Sequence, residues 1–120
     1  MSDIYRENIL DHSRRPRNHG VLGDAMLTRH EANPSCGDVI DVYLVTSDDG
    51  RIERVSFTGQ GCVISQAATS LVLESVIGKH IDEVMAMSQS DVIKLLGVEP
   101  GPMRMGCAML PLRALQRVLN

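Results

Sequence analysis

Three cysteines and one aspartate are the residues of this sequence whose types can do chemistry together. Cys36 lies in a turn signal, Asn33–Asp38 (NPSCGD), and Asp38 follows it by two residues. Residues two apart in an extended stretch point to the same side, so we expect Cys36 and Asp38 to face one ion together. Soft thiolates with one carboxylate suit zinc or an iron–sulfur cluster.

The other two cysteines are predicted near the starts of helices. Cys62 follows two glycines in the sequence TGQGC, and the free N–H groups of a helix N-terminus favour a thiolate there. Cys107 follows Gly106 near the start of the last predicted helix. Arg104 lies three residues before Cys107 on the same helical face, where it can steady a thiolate or the Asp38 carboxylate.

Each cysteine also has a simpler interpretation, because a free cysteine is often an inert, buried small hydrophobe. There is no CxxC pair, and therefore no zinc-ribbon or thioredoxin motif. The positions of all three after a glycine or a turn signal favour a shared site. The four histidines have no partner at ligand spacing, and we interpret them as surface or internally satisfied residues: His12, His19, His30 and His80.

The elements that must position these residues follow from hydrophobic periodicity and turn signals. One helix, a loop, three strands and then four helices are predicted, which indicates an α+β architecture. We expect a cap at Ser90 for the third of the four later helices, Gly78 as a C-cap, and a kink or restart at Pro111. The predicted ranges are helix 3–11, loop 12–24, strands 25–31, 39–46 and 52–58, and helices 63–77, 81–87, 91–96 and 104–119.

The composition of the chain argues against several classes of function and location. The 120 residues are 43% hydrophobic with a net charge of −3, which argues against nucleic-acid binding. There is no apolar run of the roughly 20 residues that a membrane span needs, and no secretory signal. We therefore expect one domain over residues 1–120 in the cytoplasm, where three cysteines suggest metal binding or catalysis rather than disulfides.

Nearly the whole chain, in order, resembles the U-type iron–sulfur cluster assembly proteins: IscU, SufU and the N-terminal domain of NifU. The resemblance is carried by segments 5–12 (YRENILDH), 16–20 (PRNHG), 33–38 (NPSCGD), 57–65 (FTGQGCVIS), 77–79 (IGK) and 104–108 (RMGCA).

The resemblance implies a small antiparallel sheet with helices packed on one face. It also implies that Cys36, Asp38, Cys62 and Cys107 converge on an exposed site. In this family a cysteine desulfurase delivers persulfide sulfur, iron joins it, and a transient [2Fe–2S] cluster forms and passes to apo-proteins. Members often hold zinc in the same site. We predict Cys107 as the persulfide acceptor, because glycine and proline flank the start of its helix.

This chain departs from both main types. IscU-type members have a histidine just before the last cysteine and SufU-type members often have a lysine, whereas this chain has Gly106; the fourth ligand should then be Asp38. The 45-residue step from Cys62 to Cys107 leaves no room for the SufU insertion. The segment 99–104 (EPGPMR) replaces the Leu-Pro-Pro-Val-Lys chaperone signal, which argues against an Hsp70 partnership.

Three functions therefore compete. The first is a scaffold that assembles and donates a cluster. The second is a zinc-dependent sulfurtransferase that activates a cysteine desulfurase, and the third is a structural zinc-binding adaptor, which a closed site with inert thiols would mark. The sequence favours them in that order.

Overall fold

A three-stranded antiparallel sheet forms one layer of the fold. The computed structural model describes residues 3–35 and 37–120, with side chains from residue 6 onward. The strands are β1 (Leu27–Asn33), β2 (Asp38–Thr46) and β3 (Ile52–Gln60), in the order β1-β2-β3. The predicted first strand is therefore displaced by two residues, and the third continues to Gln60.

The central strand β2 shows why one face of the sheet is covered. Ile40, Val42 and Leu44 are buried, while Asp41 and Tyr43 between them are more exposed. This alternation is expected of a sheet with one face against the core. The sequence SDDG, residues 47–50, closes the β2–β3 hairpin, with Gly50 at φ 83°.

Five helices complete the fold: α1 (Asp3–Arg14), α2 (Val63–Val76), α3 (Ile81–Met85), α4 (Gln89–Leu96) and α5 (Pro102–Leu119). Helix α2 is the central one, since it contacts α1, α4, α5 and β3. Helix α5 packs on β1 and β2. The predicted α+β class, with a small antiparallel sheet and helices, is confirmed.

Each of the five helices differs from the prediction at one end. Helix α2 ends at Val76 rather than at residue 77, and α3 ends at Met85 rather than at residue 87. Helix α1 continues to Arg14 and includes His12, which is buried against α2. Helix α4 begins after Ser88 rather than Ser90, because the Asp91 carboxylate accepts the N–H of Ser88 at 2.8 Å. This reciprocal arrangement is a capping box.

Helix α5 begins two residues earlier than predicted and continues through Pro111 without a restart. Its first turn accepts Pro102 readily, because a proline at the first helical position loses no hydrogen bond. Pro111 is buried in the helix interior, where its ring is part of the packed face. None of the described helices has the length and apolarity that crossing a bilayer requires.

Candidate metal and sulfur site

Asp38 is the first residue of β2 and pairs with Asn33, the last residue of β1. Its side chain is only 4% exposed, so the carboxylate is held inside the end of the sheet. One of its oxygens, Oδ1, accepts the backbone N–H of Cys62 at 3.2 Å. A buried carboxylate needs such donors, and this bond ties β2 to the start of α2.

Cys62 is the N-cap of α2, and its sulfur accepts the N–H of Ser65 at 3.5 Å. Serine, threonine, aspartate and asparagine usually fill this position. The Cys62 sulfur lies 3.8 Å from Oδ2 of Asp38. A Cβ on Gly61 would lie 2.1 Å from the Ser65 hydroxyl and 3.1 Å from Asp38, so glycine at position 61 permits this close approach.

Cys107 approaches from α5 and is fully buried. It lies in the second turn of the helix, rather than near its start as predicted. Its sulfur is 4.0 Å from Nδ2 of Asn33, which connects α5 to the end of β1. The neighbouring Gly106 faces the same amide, since a Cβ there would lie 2.7 Å from Nδ2.

The donor atoms of Asp38, Cys62 and Cys107 all lie within 4.8 Å of one another. Zinc–thiolate bonds are about 2.3 Å long, so the ligands of one tetrahedral ion lie roughly 4 Å apart. The donors therefore need only small side-chain rotations to hold one ion, and two thiolates with a carboxylate are a suitable zinc or iron set. They line a pocket of about 260 Å³ together with Ser35, Met103 and Arg104.

Three of the four predicted ligands are thus brought together from three different elements. The fourth, Cys36, lies outside the described residues. Arg104 lines the pocket in the exposed first turn of α5, and its predicted role in steadying a charge stays a prediction. Sequence reasoning gave no role to Asn33 or Met103, although the Asn-Pro-Ser sequence is a signal for an asparagine turn.

None of the histidines belongs to the group of donors found among the described residues. His12 Nδ1 contacts the Ser70 hydroxyl at 2.7 Å, and burial, with the nearby Arg17 charge, lowers the pKa of His12.

The other three histidines also have contacts away from the site. His80 caps α3 by accepting the N–H of Asp82. His19 packs edge-on against Phe57, and the exposed His30 contacts Asp41. The prediction of surface or satisfied histidines agrees with these contacts.

Comparison with known proteins defines the class to which this fold and site belong. Residues 4–120 match the model of the NifU-like N-terminal domain. The chain therefore belongs to the NifU-like N-terminal domain family, which includes the IscU and SufU proteins that the sequence resembles.

Particular relatives are similar over almost the whole chain. The iron–sulfur cluster assembly scaffold protein IscU of Streptococcus pyogenes is 33% identical, with 100% of this chain and 85% of that protein covered. The zinc-dependent sulfurtransferase SufU of Bacillus subtilis is 33% identical, with coverage of 98% and 90%. The alignment with the first runs over 137 positions, 17 more than this chain has residues, so that relative has residues that this chain lacks.

A solved structure agrees in fold. It is described as an iron–sulfur cluster assembly scaffold protein for the SUF system from Fervidobacterium islandicum AW-1. Its TM-score is 0.81 at 32% identity, and 95% of each chain is covered.

Proposed function

We propose that this protein is an iron–sulfur cluster assembly scaffold. It accepts sulfur from a cysteine desulfurase, assembles a transient [2Fe–2S] cluster with iron, and passes that cluster to apo-proteins. The observation that carries the proposal is the meeting of Asp38, Cys62 and Cys107 at one pocket, with donor atoms within 4.8 Å of one another. Cys36 is proposed as the fourth ligand from its motif. The chain acts as one domain in the cytoplasm.

The mixed donor set suits a carrier better than a permanent holder. A cluster that is to be retained is usually held by thiolates, whereas a carboxylate oxygen is a harder ligand that suits iron–sulfur chemistry less well. Asp38 is also engaged by the N–H of Cys62, so its charge is shared between the protein and any bound iron. The bond between Asp38 and iron is therefore the weakest one in the site and the first to break on release.

Sulfur transfer has a simple balance of atoms and electrons. The Cys107 thiolate attacks the outer sulfur of the desulfurase persulfide, a new S–S bond forms on Cys107, and the desulfurase thiolate leaves with the electron pair of the broken S–S bond. Because Cys107 is fully buried, its sulfur must be reached through the pocket. Met103, which is 90% exposed, lies at that pocket, where a docked desulfurase would contact it.

The second candidate function is zinc-dependent sulfur transfer. Its support is that the two sulfurs and one carboxylate fit a tetrahedral zinc, together with the 33% identity to a SufU named for that activity. Bound zinc would keep the thiolates deprotonated and ordered. Asp38 would then be the ligand that yields when the desulfurase thiolate arrives.

Anaerobic reconstitution separates the two functions. The metal-stripped protein is mixed with ferrous iron, cysteine, reductant and a cysteine desulfurase, and visible absorption is recorded. A scaffold gains the cluster spectrum, which is lost in Cys36→Ser, Cys62→Ser and Cys107→Ser. The zinc protein instead forms no cluster, retains zinc and accelerates the desulfurase.

A further inference from the structure

The amide of Asn33 connects two parts of the site that lie far apart in the sequence. Its Oδ1 accepts the backbone N–H of Ser35 at 3.2 Å, and its Nδ2 lies 4.0 Å from the Cys107 sulfur. An N–H group can only donate, so the Asn33 atom that faces Ser35 must be the oxygen. The NH₂ group therefore faces Cys107.

Gly106 provides the space that this arrangement needs. A Cβ at position 106 would lie 2.7 Å from Nδ2 of Asn33 and 3.6 Å from its Cγ. Asn33 is 8% exposed, so its amide has little freedom to move aside. Any side chain at position 106 would compete with the Asn33 amide for the volume beside the Cys107 sulfur.

We propose that Asn33 is a positioning residue for the metal and sulfur site, donating its side-chain N–H to the Cys107 thiolate while its side-chain oxygen holds the backbone of Ser35. Gly106 is its required partner. Donation to a thiolate ligand withdraws electron density from sulfur and fixes the direction of its lone pairs. Hydrogen-bond partners of this kind orient metal ligands and tune the metal. The inference rests on the proposed metal site.

Three variants separate the two contacts of Asn33. Asn33→Ala removes both. Asn33→Ser retains an oxygen that can accept the N–H of Ser35, as serine does in such turns, but is too short to reach Cys107. Gly106→Ala retains Asn33 and displaces its amide. Gly23→Ala is the control, because its Cβ would meet nothing within 4 Å.

The test uses cobalt(II) titration of the full-length, metal-stripped protein, with circular dichroism of each metal-free variant to show that it is folded. In all three variants we expect the sulfur-to-cobalt charge-transfer band to move to lower energy. Cobalt affinity should fall about tenfold, the lower end of the range for losing such a partner. Gly23→Ala should match the wild type.

A double variant tests whether Gly106 acts through Asn33. Asn33→Ala/Gly106→Ala should show the same band and affinity as Asn33→Ala alone. A further loss in the double variant would mean that position 106 acts independently and would overturn the pairing. If the sulfur-to-cobalt band is unchanged in Asn33→Ser but shifted in Asn33→Ala, Asn33 acts only through its contact with Ser35. That result would overturn the proposed hydrogen bond from Asn33 to Cys107. If the wild type itself shows no sulfur-to-cobalt band, the metal site fails, and the role of Asn33 fails with it.

Discussion

At the scale of single residues, Asp38 has two functions that pull in opposite directions. Its Oδ1 stabilises the start of α2 by accepting the Cys62 N–H, while Oδ2 faces the Cys62 sulfur. The first function favours a folded, preformed site. The second places an oxygen at the proposed site, and that oxygen would hold a cluster more weakly than a sulfur, which binds iron better.

Replacing Asp38 by alanine should therefore lengthen the lifetime of a reconstituted cluster while lowering the stability of the metal-free protein. The loss of a hydrogen bond to a charged acceptor should cost about 1.5–3 kcal/mol. Cluster decay is followed by visible absorption and stability by urea unfolding. Asp41→Ala, an exposed position of the same strand, is the control. Equal or faster cluster decay in Asp38→Ala would contradict the role of this carboxylate.

The buried His12 should make the folded protein less stable in acid. Burial lowers the pKa of His12 from its ordinary 6.5, so below pH 6.5 the unfolded chain binds a proton that the folded chain resists. As the pH is lowered below 6.5, the free energy of unfolding should therefore decrease until the pH is below the folded-state pKa of His12. The slope should be at most about 1.4 kcal/mol per pH unit from this one group.

Urea unfolding between pH 7.5 and 5, run on the wild type and on His12→Asn, isolates this slope from other groups. Asp11, Arg17 and Glu74 are the charged neighbours of His12, and they remain in both proteins. Identical slopes in the wild type and His12→Asn would rule out the contribution of His12.

At the scale of elements, the site depends on the close approach of the start of α2 to the end of β2. Gly61→Ala should disrupt it, because the new Cβ would lie 2.1 Å from the Ser65 hydroxyl and 3.1 Å from Asp38. Overpacking of this kind costs about 1–3 kcal/mol. The midpoint temperature of thermal unfolding and the zinc affinity should both decrease, and Gly23→Ala should change neither. A Gly61→Ala protein with unchanged zinc affinity would show that this approach is not needed for the site.

The elements also show which parts of the structure are readable from sequence. The β2–β3 hairpin was predictable because Ile40, Val42 and Leu44 alternate with more polar residues before an Asp-Gly turn. The start of α4 was not, although its Ser-x-x-Asp signal was present, because Ser90 competed with Ser88 as the cap. The extent of α1 depends on burial of His12 against Ser70, 58 residues away, which no local pattern records.

The same distinction applies to the site. Cys62 and Cys107 were predicted as ligands because each follows a glycine, and Asp38 because it lies two residues after Cys36. The contact of Asn33 with Gly106 joins residues from β1 and α5, and only the tertiary fold places them together.

At the scale of the whole molecule, an ion pair between a buried carboxylate and a half-exposed arginine joins the first strand to the last helix. Glu31 in β1 is 4% exposed, and its two oxygens lie 2.5 and 2.7 Å from Nη1 of Arg117. Among the described residues, Arg117→Ala would leave that carboxylate with Arg29, 3.7 Å away, as its ion-pair partner. It should destabilise the protein by about 1–3 kcal/mol.

An exposed ion pair provides the matched comparison. Arg54 pairs with Asp24 at the surface, so Arg54→Ala should cost less than about 1 kcal/mol. Urea unfolding of both variants measures the difference. Equal losses would mean that burial of Glu31 contributes nothing to the connection between β1 and α5.

A scaffold must release the cluster that it assembles, so transfer to a recipient protein is the property that defines the proposed function. The most direct measurement mixes the cluster-loaded protein anaerobically with an apo-ferredoxin in the presence of an iron chelator, and follows the two proteins by visible circular dichroism. A scaffold predicts that the ferredoxin gains its cluster in proportion to the loss from this protein, with little iron captured by the chelator. A cluster that stays in place, or one whose iron goes to the chelator while the ferredoxin remains empty, would contradict the scaffold function.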